Sequence, residues 1–515
     1  MRYFTLLFLL AFKFTAAAST PNVILIYTDD HGWPDVGPMG IHADLKTPHL
    51  DALAASGALA SNGYSSAPQC IPSRAGLLIG KYQNRFGVEA NGRDLSGFDR
   101  ELTVAERLKK AGYTTGQIGK WHLGPGNQID RHGFDYFFNK NANRAVHGNM
   151  DSAGKKTETR LIPHRQYHLD ACSDAAVAFI RNQRENPFFL YLAYRAPHVP
   201  LDAPKRYLDR FPGKMPERRR QALAMISAMD DGVGAIVAEL EKQGLTKKTL
   251  IFYIGDNGAP LKLHKIDAPG GGPGWDGSLN EPLNGEKGML TEGGIRVPFL
   301  ISWPGTIPAG LVYDRPVIAL DATATALELA GVEVAGLDGV NLIPHLTGKE
   351  KTDPHQELYW RWLGQSAIRK GKWKLLRGAG REYLFDLDAD KEEQRNLLGA
   401  HSEIASDLRA RLSAWAGDLI PPGIGEPEGD GMRKQAGVFF DFYLEGKRDV
   451  NLPKPKSAPG RDDAKLFSQR DKNQDGKVTL EEWIAGRTEK VEEITGHFRR
   501  RDTNQNGVWE KSEIR

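Results

Sequence analysis

Four apolar runs constrain this chain more than anything else in it. Asn22–Tyr27 (NVILIY), Phe188–Tyr194, Thr249–Gly255 and Val297–Trp303 are continuous rather than alternating. An alternating strand leaves one face to water; a continuous one must be covered on both faces. Helical segments with clear punctuation lie between them. Thr103 and Glu106 form a capping box, and Gly112 stops the helix they open. Pro216 to Gln243 carries apolar residues at helical spacing and ends at Gly244. Asp321 caps a short helix that Gly331 stops. Strands alternating with helices predict a large α/β domain, its mostly parallel sheet flanked by helices.

From about Pro354 the character changes. Leu358–Trp362, Ser366–Arg369, Trp373–Leu376 and Tyr383–Asp386 are short strand candidates, with a helix over Ser402–Ala416 after them. They predict a small antiparallel sheet subdomain over residues 351–420, following a catalytic α/β domain at 19–350. Residues 421–460, rich in Pro, Gly and charge, read as an irregular segment and linker, with Val438–Leu444 (VFFDFYL) docked.

Residues 461–515 form a separate unit containing a repeat. Asp471, Asn473, Asp475, Gly476 and Glu482 align with Asp502, Asn504, Asn506, Gly507 and Glu513. Oxygen side chains at positions 1, 3 and 5, Gly at 6 and Glu at 12 are what a calcium loop requires. Lys477 and Val508 would give backbone carbonyls at position 7, and Thr479 and Glu510 stand at position 9. The pair resembles an all-α EF-hand pair. A dockerin is the competing reading, disfavoured by the Glu at position 12 and the apolar run before each loop. Asn506 costs the second loop one charge, so weaker binding is expected there.

The net charge is only +3, from 68 basic and 65 acidic residues, so no global field argues for nucleic acid and anion recognition must be local. Arg2, the apolar run Thr5–Phe12 and Ala16–Ala18 read as a signal peptide over residues 1–18, predicting export to the periplasm or the medium. No later stretch is long and apolar enough to predict stable membrane insertion. The two cysteines, Cys70 and Cys172, could form a bridge. The setting of Cys70 argues otherwise, and Cys172, in a helical stretch, reads as a small buried residue.

Around Cys70 the chain reads Cys70-Ile71-Pro72-Ser73-Arg74-Ala75-Gly76-Leu77-Leu78-Ile79-Gly80. This resembles the type I sulfatases, whose C-x-P-S-R-x-x-L-L-x-G signature marks a cysteine oxidised to formylglycine. The resemblance implies an alkaline-phosphatase-like α/β fold and hydrolysis of sulfate esters. It also implies activation by a formylglycine-generating or anaerobic sulfatase-maturating enzyme. In that family the aldehyde hydrates, one hydroxyl attacks sulfur, and the other helps eject sulfate.

Asp29 and Asp30 follow the first strand, and Asp256 and Asn257 a later one. Strand ends are where sites form in such sheets, and three carboxylates with an amide suit Ca²⁺. The resemblance implies that these four hold a divalent ion beside oxidised Cys70. Lys120-Trp121-His122-Leu123-Gly124 is similar to the family's G-K-W-H-L-G element, in which the Lys contacts sulfate and the His steadies the formylglycine hydroxyl. By the same resemblance His198 and Lys287 bind sulfate and assist leaving-group protonation, and Arg74 stabilises formylglycine.

Residues 90–100, 141–151 and 264–280 are expected to wall the pocket, with Arg93, Arg144, His147 and Asn280 available to hydroxyls or further sulfates. Trp275 could stack on a sugar or pack within its loop. An exported enzyme with a calcium module suits a sulfated glycan, or an aryl sulfate. A phosphoesterase or phosphonate hydrolase of the same fold is the alternative.

Overall fold

A computed structural model describes residues 20–183, 186–263, 277–424, 431–447, 463–471, 473, 475–484 and 508–510. The expected signal peptide and much of the 264–280 wall, Trp275 included, lie outside these residues, as do Asp502, Asn504, Asn506 and Glu513. By packing, the chain forms two units, Met1–Val450 and Asn451–Arg515. The boundary expected at residue 350 therefore falls inside one packed body.

In chain order the first twelve strands are β1 (Asn22–Asp29), β2 (Ala58–Ala60), β3 (Gly63–Tyr64), β4 (Thr114–Gly119), β5 (Tyr136–Phe138), β6 (Val146–Met150), β7 (Lys156–Ile162), β8 (Phe188–Pro197), β9 (Thr249–Gly255), β10 (Phe299–Ser302), β11 (Leu311–Tyr313) and β12 (Val317–Ile318). All but β3 and β12, which pair with each other, form one ten-stranded sheet ordered β11-β2-β10-β9-β1-β8-β4-β5-β6-β7. Its centre is parallel: β9, β1, β8, β4 and β5 all run the same way. The flanks are not. β10 is antiparallel to β9 and β2, and β6 is antiparallel to β5 and β7. The sheet is mixed, with five parallel and four antiparallel strand pairs, so the expected parallel arrangement holds at its centre and is interrupted by β10 and β6. A continuous apolar run shows that both faces are covered, but it carries no strand direction.

Both faces are covered as the runs require. Val23, Leu25 and Tyr27 pack with the helices Cys70–Ile79 and Val104–Lys110 on one side. Ile24 and Ile26 pack with the helices His168–Asn182 and Glu217–Lys242 on the other. The capping box of Thr103 and Glu106 forms. Asp321 is the second residue of the Leu320–Leu329 helix rather than its cap. Its carboxylate accepts from the Ile318 and Val340 N–H groups, binding a strand and a loop to the helix start.

The small antiparallel sheet is present as β13 (Leu358–Trp362), β14 (Gln365–Lys370), β15 (Trp373–Gly378) and β16 (Arg381–Asp386). The helix Ser402–Gly417 packs on it. The stretch read as irregular contains a helix, Gly431–Tyr443. Ala436, Phe439 and Phe440 are buried at helical spacing, a pattern too short to stand out among Gly, Pro and charge. In the second unit β17 (Lys477–Thr479) pairs antiparallel with β18 (Val508–Glu510), so the module is not purely helical.

Candidate active site

Parallel strands end on one side, and that side collects the predicted residues. β1 ends in Asp29, and Asp30 follows with φ 58°, a conformation that Asp tolerates better than most residues. Beside it, Asp256 follows β9 and accepts from Asp30 N–H at 3.0 Å. Lys120 follows β4, and His198 follows β8. Cys70 opens the helix Cys70–Ile79, all ten residues of which are buried, and Gly80 closes it in the left-handed conformation.

Cys70 Sγ lies 3.2 Å from Asp29 Oδ1 and 3.2 Å from Lys287 Nζ. Lys287 also pairs with Asp30 Oδ1. Lys120 Nζ donates to Asp29 Oδ2 at 2.6 Å. Arg74 donates to Asp256 Oδ2 through Nε at 3.1 Å and Nη2 at 2.7 Å. His198 Nδ1–H donates to its neighbour's carbonyl, Val199 O, at 2.6 Å, which turns Nε2 towards Asp30 Oδ2, 3.6 Å away. Asn257 Nδ2 donates to Asp30 Oδ1 at 2.8 Å, while its buried Oδ1 has no hydrogen-bond partner.

The electrostatics follow from burial and crowding. Desolvation, with Asp256 and Asp29 adding to it, pushes the Cys70 thiol up to about 12. A thiol so placed stays protonated and is a poor nucleophile. Burial alone would raise Asp29, but Lys120, His198, Arg74 and Lys287 hold it well below the usual carboxylate range. Burial and Asp29 push Asp256 up, against the pull of Arg74 and Lys120. His122 stands at the open side, with φ 64°. Crowding by the surrounding protein, reinforced by the Lys120 and Arg74 charges, lowers its pKa and favours the neutral imidazole.

Two contributors were not legible in advance. Tyr191 on β8 accepts from Arg74 Nη1 at 3.2 Å, and Tyr27 on β1 lies under the Arg74 guanidinium, 5.4 Å from ring centre to carbon. Their only signal was an aromatic hydroxyl inside an otherwise apolar strand. Among the expected wall residues, Arg93 and Arg144 are exposed and His147 is half-buried on β6. Asn280 is fully buried, and its amide braces Ala259 and Gly285, so it is a structural brace and not a wall residue. Cys172 is buried and unbridged, as is Cys70.

In the second unit, Asp471 accepts from the Asp475 and Gly476 N–H groups, and Asn473 from Asp475 N–H. Lys477 and Val508 lie on the paired strands. Glu482 is turned towards Thr479 N–H, 2.9 Å away.

Clustered carboxylates, crossing cations and a buried residue at a helix start, all at the ends of parallel strands, define a hydrolase of anionic esters. Residues 21–332 match the sulfatase family, and residues 285–417 match the family described as N-sulphoglucosamine sulphohydrolase, C-terminal. The chain belongs to the sulfatase family and is a sulfuric ester hydrolase. It is 34% identical over 391 residues to N-acetylgalactosamine-6-sulfatase of Mus musculus, covering 70% of this chain and 72% of that one. It is similar in fold to Ps i-CgsB in complex with k-i-k-neocarrahexaose, with TM-score 0.69 and 31% identity, covering 82% of this chain and 97% of that one. A phosphonate monoester hydrolase of Agrobacterium radiobacter shares the fold at TM-score 0.55 and 20% identity, a likeness of fold alone.

Proposed function

We propose that the chain hydrolyses sulfate esters of carbohydrates, using Cys70 in its formylglycine form and a calcium ion held by Asp29, Asp30, Asp256 and Asn257. The observation that carries this reading is the surround of Cys70 Sγ: Asp29 and Lys287 each at 3.2 Å, in a cluster where ligand atoms of Asp29, Asp30, Cys70 and His198 lie within 4.8 Å of one another. Three buried carboxylates with the amide of Asn257, whose Oδ1 is buried without a partner, offer hard donors suited to Ca²⁺. The formylglycine hydrate would supply an oxygen nucleophile that the neutral thiol does not, and a calcium ion held by these residues would supply positive charge to the sulfate oxygens.

The chain's own groups do the rest. Lys120 and Lys287, both buried, place fixed positive charge where sulfate oxygens arrive. His198 is half-buried, with Nδ1 committed to Val199 O, so Nε2 is the atom that carries a proton to the departing alcohol. Neutral His122 accepts or donates to the attacking hydroxyl. Arg74 fixes Asp256 and keeps water out behind the nucleophile.

A carbohydrate substrate is supported by the relative named N-acetylgalactosamine-6-sulfatase and by the similar structure in complex with k-i-k-neocarrahexaose. We read residues 1–18 as an export signal and residues 461–515 as an EF-hand pair that binds up to two further calcium ions. We also assign activation to a formylglycine-generating or anaerobic sulfatase-maturating enzyme. The test is a panel of defined sulfated sugars and 4-nitrophenyl sulfate, with released sulfate followed by chromatography. Release from the sugars is expected; release from the aryl ester alone would remove the carbohydrate reading. Peptide mass analysis of active protein should show Cys70 as an aldehyde, lighter than the thiol. A Cys70 thiol in fully active protein would sink the proposed nucleophile.

A further inference from the structure

Both matched family regions end by residue 417, yet the Gly431–Tyr443 helix beyond them reaches the loop that carries Lys287. We propose that Tyr443 is a positioning residue for Lys287, acting through Glu286 and Asn284. The proposal rests on the reading of Lys287 as a sulfate-binding cation.

Lys287 is buried, and its ammonium is fixed between Cys70 Sγ and Asp30. Where that ammonium sits depends on a backbone stretch, residues 285–290, that belongs to no helix or strand. Such a stretch keeps one conformation only when groups around it hold its peptide units. From within, Lys287 N–H donates to Ala259 O at 3.1 Å and Gly288 N–H to Pro68 O at 3.0 Å. From the small sheet, the Gln365 amide brackets the next turn. It donates to Gly288 O at 2.9 Å and accepts from Leu290 N–H at 3.1 Å.

The third hold is Tyr443. Its hydroxyl donates to Glu286 Oε1 at 2.8 Å, and its carbonyl accepts from Asn284 Nδ2 at 3.0 Å. The two contacts bracket the approach to Lys287 at one and three residues before it. The Glu286 carboxylate is fully buried. It also takes the N–H groups of Leu261 and Leu263, so it ties the Lys287 loop to the strand exit after β9. Successive side chains leave a backbone in different directions, so anchoring Glu286 on one side sets the aim of Lys287 on the other. Burial and the adjacent Glu286 push the Tyr443 phenol well up, so it remains a donor.

The test uses the full chain carrying Tyr443→Phe or Asn284→Ala, each alone and combined with Lys287→Ala. The substrates are 4-nitrophenyl sulfate and N-acetylgalactosamine 6-sulfate. Tyr443→Phe keeps the ring and removes only a hydrogen bond to a charged acceptor. It should lower kcat/KM about tenfold with thermal unfolding near wild type. In the Lys287→Ala background the same substitution should change turnover by less than about twofold, because the group it aims is gone. Equal losses in both backgrounds, or no loss in the single variant, overturn the proposal. A Lys287→Ala enzyme with undiminished turnover would instead refute the role given to Lys287. Hydrogen exchange decides the matter without substrate. Amides of residues 285–290 should exchange faster in Tyr443→Phe, and unchanged exchange would dismiss the clamp.

Discussion

Replacing Lys374 by Met tests how the small sheet is fastened to the catalytic body. Lys374 Nζ lies 2.8 Å from Glu292 and 2.9 Å from Glu393, and all three side chains are fully buried. Glu292 begins the short helix directly after the Lys287 loop, and its N–H donates to Glu393 at 2.7 Å. Met conserves most of the alkyl stem and removes only the charge. Glu292 would keep Tyr64 at 2.7 Å and Arg296 at 3.6 Å, whereas Glu393 would lose its cation. Removing one partner from a buried charge group costs about 3–5 kcal/mol. The loss is bounded, because a carboxyl can take a proton instead, at about 1.4 kcal/mol per pH unit above its unfolded pKa of about 4.3.

The sign then follows. Burial already pushes Glu393 up to about 7, and removing Lys374 pushes it further. A raised carboxyl costs stability above its folded pKa and nothing below its unfolded one. Because the wild type already carries a Glu393 raised to about 7, only the further rise depends on pH here, and the variant's loss of stability should be about 1 kcal/mol larger at pH 7.5 than at pH 5.5. Urea unfolding at the two pH values, followed through the buried Trp360 on β13, measures both numbers. An equal loss at both would show that Lys374 contributes packing and not charge.

Three further outcomes are expected. Cys70→Ala should abolish sulfate release while circular dichroism stays unchanged; residual turnover above a few per cent would displace Cys70 from the reaction. Asn257→Ala removes the unpartnered amide oxygen and should weaken calcium binding by more than about tenfold, read by calorimetry, with unchanged affinity dismissing the proposed ion set. Removing residues from 461 onward should leave turnover of 4-nitrophenyl sulfate largely intact while lowering the calcium bound per chain; loss of turnover would make that segment part of the site.

That the candidate site residues come together was largely legible because each marks a local event in the chain. Asp29 ends a strand, Asp30, Asp256, Lys120 and His198 each follow one, and Cys70 and Arg74 lie four residues apart on one helix. Strand ends can be read from a run and its stop. What holds those residues was not legible, because it is long-range. Gln365 meets Gly288, Tyr443 meets Glu286 and Lys374 meets Glu292 across stretches of chain that carry no pairing signal. The antiparallel flanks escaped for a related reason: β10 is as apolar as β9, and burial has no direction. The Gly431–Tyr443 helix was visible as an apolar cluster, but its flanks looked like linker. Asn280 read as a pocket residue because exposure at a Gly-rich insertion cannot be told from sequence; its amide instead spans two backbone segments.

The depth of the Cys70 helix has a consequence in time. Cys70 is 1% exposed, and none of the ten residues from Cys70 to Ile79 faces solvent. A second protein cannot recognise and oxidise a cysteine in that state. The proposed conversion has to be finished while this stretch is still an open peptide, before the helix closes over its own first residue. Under that proposal, folding and maturation would compete in time. If the proposed conversion is right, a host that folds the chain faster than it oxidises Cys70 will yield folded but inert protein, and adding the proposed maturing enzyme later will not rescue it without unfolding.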